Sequence, residues 1–116
     1  IRQDKIKVKE ISKMVKKISQ EEFEQVKNDD IAVIDFSAEW CGPCKMLAPV
    51  MEEVSEELGD SVSFYNIDVD QNMDIAQQYR IVSIPALLVL KKGEKVDMQI
   101  GFQPKDGVVE FIKKNL

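Results

Sequence analysis

The sequence of 116 residues has no histidine, only two cysteines and no apolar run near the length of a membrane span. Without histidine the chain has no Cys–His or Ser–His pair for nucleophilic catalysis and no imidazole ligand for a metal. Two cysteines are far fewer than small secreted domains use when they depend on disulfides for stability. A membrane-spanning helix needs ~20 consecutive apolar residues. We therefore expect neither a histidine-dependent hydrolase nor a membrane protein.

The charge is distributed unevenly along the chain. Residues 1–17 carry seven basic and two acidic side chains, a balance of +5, so the net charge of −5 leaves −10 for residues 18–116. An acidic domain repels nucleic-acid phosphates, and we expect no nucleic-acid partner. The length suits one domain. We assign residues 14–116 to it and interpret residues 1–13 as a basic N-terminal extension, which is either solvated or in contact with an anionic surface.

Apolar periodicity predicts alternating strands and helices. Ser19 and Glu22 form a capping-box pattern, so we place the first strand in the second copy of a near-repeat, Val15–Ser19, rather than in Val8–Ser12. Four parts of the chain then have the period of a helix, and five that of a strand. The predicted strands are 14–18, 31–38, 62–68, 86–90 and 96–100, and the predicted helices are 20–28, 41–58, 72–79 and 105–115.

The two cysteines, Cys41 and Cys44, allow four interpretations. A zinc site needs four ligands, so two thiols suffice only if two chains share the metal. A structural disulfide across two residues closes too short a loop to stabilise the fold much. An inert thiol pair leaves the neighbouring residues unexplained. A reactive dithiol fits best, because Cys41 starts a predicted helix, where N–H groups favour a thiolate, and Cys44 follows one turn later. Gly42 and Pro43 suit this position, and Trp40 offers an apolar platform.

The segment Trp-Cys-Gly-Pro-Cys-Lys at 40–45 follows the run Val33–Phe36 and precedes Ile84-Pro85. This combination resembles the thioredoxin family over residues 14–116. The resemblance implies the thioredoxin fold, an α/β fold whose central mixed sheet, with elements in the order β-α-β-α-β-α-β-β-α, is flanked by helices. It also implies reduction of disulfides in protein substrates through a reversible Cys41–Cys44 disulfide. Cys41 would be the exposed nucleophile and Cys44 the resolving thiol.

The resemblance implies further site residues. The family's buried carboxylate matches Asp35, which would exchange the Cys44 proton through a water. Asp35 lies between Ile34 and Phe36, and burial there should raise its pKa. The family's cis-proline matches Pro85. Phe64 departs from the family pattern, since a lysine often stands there, near the aspartate. Acidic runs such as Glu52-Glu53 are interpreted as solvated helix faces. The substrate-binding positions implied are Trp40, Gly42, Pro43, Ile84, Pro85 and Gly101.

The resemblance also implies partners. A flavin-dependent thioredoxin reductase drawing on NADPH would recycle the oxidised protein, which itself would bind no cofactor and no metal and act as a monomer. We expect a cytoplasmic protein, or an exported one if a leader preceded Ile1. Two other functions remain. An exported oxidant or isomerase would share the chemistry, although such relatives usually have histidine between the cysteines, where this chain has Gly42-Pro43. A binding module would use the fold for assembly only.

Overall fold

A computed structural model describes residues 15–116, and the elements in this range follow the predicted order. The strands are β1 (Val15–Lys17), β2 (Ile31–Ser37), β3 (Ser63–Asp68), β4 (Ala86–Lys91) and β5 (Glu94–Ile100), and the helices are α1 (Phe23–Val26), α2 (Gly42–Leu58), α3 (Met73–Gln78) and α4 (Lys105–Lys113). In the described part of the chain, no helix has the length and apolar character needed to cross a membrane.

The sheet has the strand order β1-β3-β2-β4-β5. Strands β1 and β2 are parallel to β3, whereas β4 is antiparallel to both β2 and β5. The prediction of a mixed sheet is therefore confirmed. Strand β2 lies in the middle and is covered on both faces, which explains its nearly unbroken apolar run.

Side chains of β2 alternate between two hydrophobic cores. Ile34 and Phe36 pack on one face with residues of α1 and α3, whereas Val33 packs on the other face with residues of α2 and α4. Because alternate residues of a strand share a face, Asp35 lies on the Val33 side, beneath α2. The core of this protein thus places one carboxylate under the helix that carries both cysteines.

The bounds of α1 and β5 differ from the prediction for reasons that the local geometry shows. Helix α1 is only one turn long, because a turn at 20–22 precedes it. The predicted capping box closes that turn: the Ser19 N–H donates to Glu22 Oε1 (3.0 Å), and the Glu22 N–H donates to Ser19 Oγ (3.3 Å). Strand β5 begins two residues earlier than predicted, since the hairpin turns on Lys92 and Gly93 alone, at φ +49° and +84°.

The position of β1 agrees with the choice of the second near-repeat, since Val15 pairs with Phe64 of β3. The first copy and the extension assigned to residues 1–13 lie outside the described residues. Their assignment stays a prediction.

Candidate active site

The two cysteines lie where β2 leads into α2. Cys41 is the N-cap residue of this helix, with extended backbone angles (φ −88°, ψ 108°), and the Cys44 N–H donates to Cys41 Sγ at 3.2 Å. An N-cap side chain normally accepts such a bond from the first helical turn. Here a sulfur occupies that position, so the unpaired N–H groups and the dipole of the helix favour negative charge on it.

Cys41 and Cys44 form a disulfide bond, with their Cα atoms 5.2 Å apart. Among residues 15–116 no cluster of three or more metal-ligating side chains is found. The resemblance implied that Cys41 is exposed, and this is wrong for the disulfide form, in which each cysteine is only 4% exposed. The reason is local packing, because Val69 and Ile84 cover the pair.

Trp40 projects beside the disulfide and is 70% exposed. Its indole Nε1–H donates to Asp70 Oδ2 at 2.7 Å, which fixes the ring against the loop after β3. Gly42 and Pro43 form the exposed first turn of α2. A Cβ atom at Gly42 would meet nothing within 4 Å, so no contact inside the protein requires glycine there.

A second segment approaches the disulfide from across the sheet. The carbonyl oxygen of Ile84 lies 3.9 Å from Cys41 Sγ, and the Ile84–Pro85 peptide bond is cis. Gly101 adopts φ +93°, and its N–H donates to the Pro85 carbonyl at 2.8 Å. The structure thus brings the three residues Ile84, Pro85 and Gly101 together next to Cys41.

Asp35 is buried in the centre of the sheet, with 3% of its surface exposed. Its Oδ1 atom has no hydrogen-bond partner among the described residues. Desolvation raises the pKa of Asp35 from 3.8 to about 7, although the Asn66 amide offsets part of the rise. Asp35 and Cys44 line the same cavity of about 300 Å³. The expectation that Phe64 stands beside the aspartate is wrong, because Phe64 pairs with Val33 in the core under α2 and α4, whereas Asn66 pairs with Asp35.

Comparison with known proteins places these features in one family. The thioredoxin family model matches residues 14–114. The chain is 45% identical over 100 residues to thioredoxin from Bacillus subtilis, covering 86% of this chain and 96% of that protein. It is 44% identical to thioredoxin from Listeria monocytogenes, covering 87% and 98%. The chain belongs to the thioredoxin family.

Solved thioredoxin structures have the same fold. Thioredoxin from Malassezia sympodialis superposes with a TM-score of 0.79 at 40% identity, covering 88% of this chain and 91% of that one. A mutant thioredoxin from Halobacterium salinarum gives 0.78 at 34% identity, covering 84% and 87%. As a member of the thioredoxin family with a disulfide at the start of α2, the protein is a thiol–disulfide oxidoreductase that reduces protein disulfides. Its partners are therefore substrate proteins and, in general, a thioredoxin reductase.

Sequence reasoning missed three polar residues of this thioredoxin site. Asp70 holds Trp40 from thirty positions further along the chain, with no pattern to reveal the contact. Asn66 donates to the Asp35 carbonyl (3.1 Å) and to Ser37 Oγ (2.9 Å), bonds that follow only from strand pairing. Glu52 is less solvated than interpreted, because its Oε2 atom is buried although the residue is partly exposed. The four-residue spacing from Cys44 through Ala48 to Glu52 was the available signal.

Proposed function

We propose that Cys41 is the attacking thiolate, Cys44 the resolving thiol and Asp35 the acceptor of the Cys44 proton. The observation that carries this assignment is the position of Cys41 as the N-cap of α2, with the Cys44 N–H donating to its sulfur. The same N–H would stabilise a thiolate on Cys41 after reduction, whereas Cys44 lies inside the helix and has no comparable position.

The reaction then has two steps. The Cys41 thiolate attacks one sulfur of the substrate disulfide, forms a mixed disulfide and releases the other substrate sulfur as a thiolate. Cys44 passes its proton to Asp35 and attacks Cys41 Sγ. This forms the Cys41–Cys44 bond and breaks the bond to the substrate, which leaves as a second thiolate. The substrate gains two electrons, and the protein loses two.

Asp35 suits the proton transfer because its pKa of about 7 lies near neutral pH. A general base is most effective when its pKa is close to the working pH, since it then accepts and releases protons readily. An ordinary aspartate would be too weak a base for this purpose. The shared cavity lets the proton pass directly or through one water molecule.

The substrate would bind around the exposed indole of Trp40 and the backbone beside the cis-proline. Support comes from the Ile84 carbonyl, 3.9 Å from Cys41 Sγ, where an extended substrate strand could pair with the backbone. Val82, next to this segment, is 92% exposed and adds apolar surface. The proposed substrate-binding residues are Trp40, Gly42, Pro43, Ile84, Pro85 and Gly101.

We further propose a flavin-dependent thioredoxin reductase, which draws on NADPH, as the electron donor. The protein would act as a monomer in the cytoplasm, without a cofactor of its own and without nucleic-acid partners. The excess of acidic side chains in residues 18–116 supports the last point.

Trapping tests the roles of the two cysteines. Cys44→Ser should accumulate a stable mixed disulfide on Cys41, because no thiol remains to resolve it, whereas Cys41→Ser should accumulate none. A purified protein with one accessible disulfide serves as the substrate, and the adduct is read by non-reducing electrophoresis and mass. Equal trapping by the two variants would contradict the assignment.

A further inference from the structure

Glu52 faces the same cavity as Asp35 and Cys44. Cys44, Ala48 and Glu52 follow one another at intervals of four residues, so they form one stripe along α2. The small side chain of Ala48 leaves space between the two larger ones. The cavity therefore extends from the resolving cysteine along the underside of the helix to a second carboxylate.

The opposite wall of the cavity is a polar row across the sheet. Lys17 of β1 pairs with Asn66 of β3, and Asn66 pairs with Asp35 of β2. Residues paired in this way project from the same face of a sheet, so the row runs from the buried aspartate to the exposed sheet edge. On one side of the row the neighbouring pairs belong to the hydrophobic core, whereas on the other side Ser37 pairs with Asp68, so the row lies at the polar border of the core.

Each carboxylate presents one buried, unsatisfied oxygen to this region. In the part of the chain that the structure describes, neither Asp35 Oδ1 nor Glu52 Oε2 has a hydrogen-bond partner. An unpartnered buried oxygen is costly unless water reaches it. The cavity of about 300 Å³ has room for several water molecules, since each occupies roughly 30 Å³.

Glu52 itself lies at the boundary with solvent. The residue is partly exposed although its Oε2 atom is buried, whereas Asp35 is buried throughout. Lys17, Lys45 and Ala48 line the cavity and are exposed, so the cavity opens to solvent near Glu52 rather than near Asp35.

We propose that Glu52 positions water in this cavity and relays the proton between Asp35 and solvent. The inference rests on the roles proposed above for Asp35 and Cys44. Before Asp35 can take the Cys44 proton it must lose any proton that it already holds: a water molecule accepts that proton and passes a proton to the Glu52 carboxylate. Glu52 then releases a proton to bulk water, and Asp35 is again ionised. No electrons move in this sequence. Glu52 is a positioning residue, since it acts on Cys44 only through Asp35.

The charges around Glu52 suit a proton exchange with Asp35. Burial raises its pKa above the ordinary value, which brings its basicity closer to that of Asp35. The other charged groups lining the cavity are Lys17 from β1, Lys45 from α2 and Asp35 from β2, whereas β3 contributes the neutral Asn66. The two lysines partly compensate the negative charge that moves through the opening.

The test measures the resolving step directly. An aromatic disulfide that releases a coloured thiolate is mixed in excess with the reduced protein, and the first thiolate reports attack by Cys41. The second reports resolution by Cys44. In weakly buffered solution near neutral pH, we expect Glu52→Gln to slow the second phase by roughly tenfold, less than the ~100-fold or more for loss of a direct general base, because Glu52 acts through water and Asp35. The first phase should not change.

Three comparisons separate a relay from a structural effect. Glu53→Gln changes the adjacent exposed carboxylate and should leave both phases as in the parent. Glu52→Asp keeps a titrating group and should retain most of the rate. Adding imidazole should restore the Glu52→Gln rate, because a small base can enter through the open end of the cavity. Urea unfolding of every variant confirms that the fold is intact.

The results for Glu52→Gln and Asp35→Asn decide between the relay and the role of Asp35. An unchanged second phase in Glu52→Gln, or a loss that imidazole does not restore, would overturn the relay. Asp35→Asn, measured in parallel, distinguishes the two proposals. If Asp35→Asn slows resolution and Glu52→Gln does not, only the relay fails. If Asp35→Asn has no effect, the proposed role of Asp35 fails and the relay fails with it.

Discussion

Replacing Asp35 should make the protein more stable, by an amount that depends on pH. The pKa of this carboxyl group is about 7 in the folded protein, against 3.8 for an ordinary aspartate. Below pH 3.8 the group is protonated in both the folded and the unfolded state, so its ionisation has no effect on stability. Between 3.8 and about 7 the unfolded state releases a proton that the folded state retains. Stability therefore falls through this interval as pH rises.

The size of the effect follows from the same two values. A pKa difference of one unit corresponds to about 1.4 kcal/mol, so the interval from 3.8 to about 7 corresponds to roughly 4 kcal/mol. Asp35→Ala and Asp35→Asn both remove the ionisation. Their stability relative to the parent should rise across the interval and become constant above pH 7. Any loss of packing in Asp35→Ala adds an offset that does not depend on pH.

Urea unfolding of the disulfide form, followed by far-UV circular dichroism from acidic to mildly alkaline pH, measures this difference. Other titrating groups are common to parent and variant and cancel in the comparison. Glu53→Gln provides the control, because it replaces an exposed carboxylate on the surface of α2. A flat difference for both Asp35 variants would refute the reasoning, since it would mean that Asp35 is solvated in the folded protein.

Two further predictions concern the surroundings of the site. Deletion of residues 1–13 should leave the turnover of a protein disulfide unchanged and alter the urea midpoint little; a stability loss of several kcal/mol would place the first near-repeat in the sheet. Asp70→Ala should change the fluorescence of Trp40, the single tryptophan of the chain, and lower turnover with protein substrates more than with a small disulfide. Unchanged fluorescence would contradict the role given to Asp70.

Local sequence patterns predicted most of the fold because each element follows a single period. The apolar run of β2 and the apolar stripe of α2 correspond to a strand covered on both faces and a helix covered on one. The Ser19–Glu22 capping box indicated which near-repeat forms β1. These patterns depend only on residues that are close together in the sequence, so they can be recognised without knowledge of the strand order.

The features that the sequence did not reveal depend on long-range pairing. The polar row Lys17–Asn66–Asp35 exists because β3 lies between β1 and β2 in the sheet, although β3 comes after β2 in the sequence. Glu52 resembled a solvated helix residue because the cavity beneath it forms only when α2 packs on that row. Likewise, the burial of Cys41 comes from Val69 and Ile84, which precede and follow α3. The helical period of α2 predicted which face of the helix carries Glu52, but not which residues of the sheet lie opposite that face.

Stability and function impose opposite demands on Asp35. Its ionised form costs the fold roughly 4 kcal/mol, a large part of the 5–15 kcal/mol by which a domain is stable. A lysine beside the carboxyl group would reduce this cost, but it would also lower the pKa and weaken the base. The residue paired with Asp35 is instead the neutral Asn66, which brings no positive charge to the carboxyl group. Desolvation thus sets the proton affinity of Asp35 near neutral pH, while the strands and helices packed around β2 supply the stability that an ionised, buried group removes.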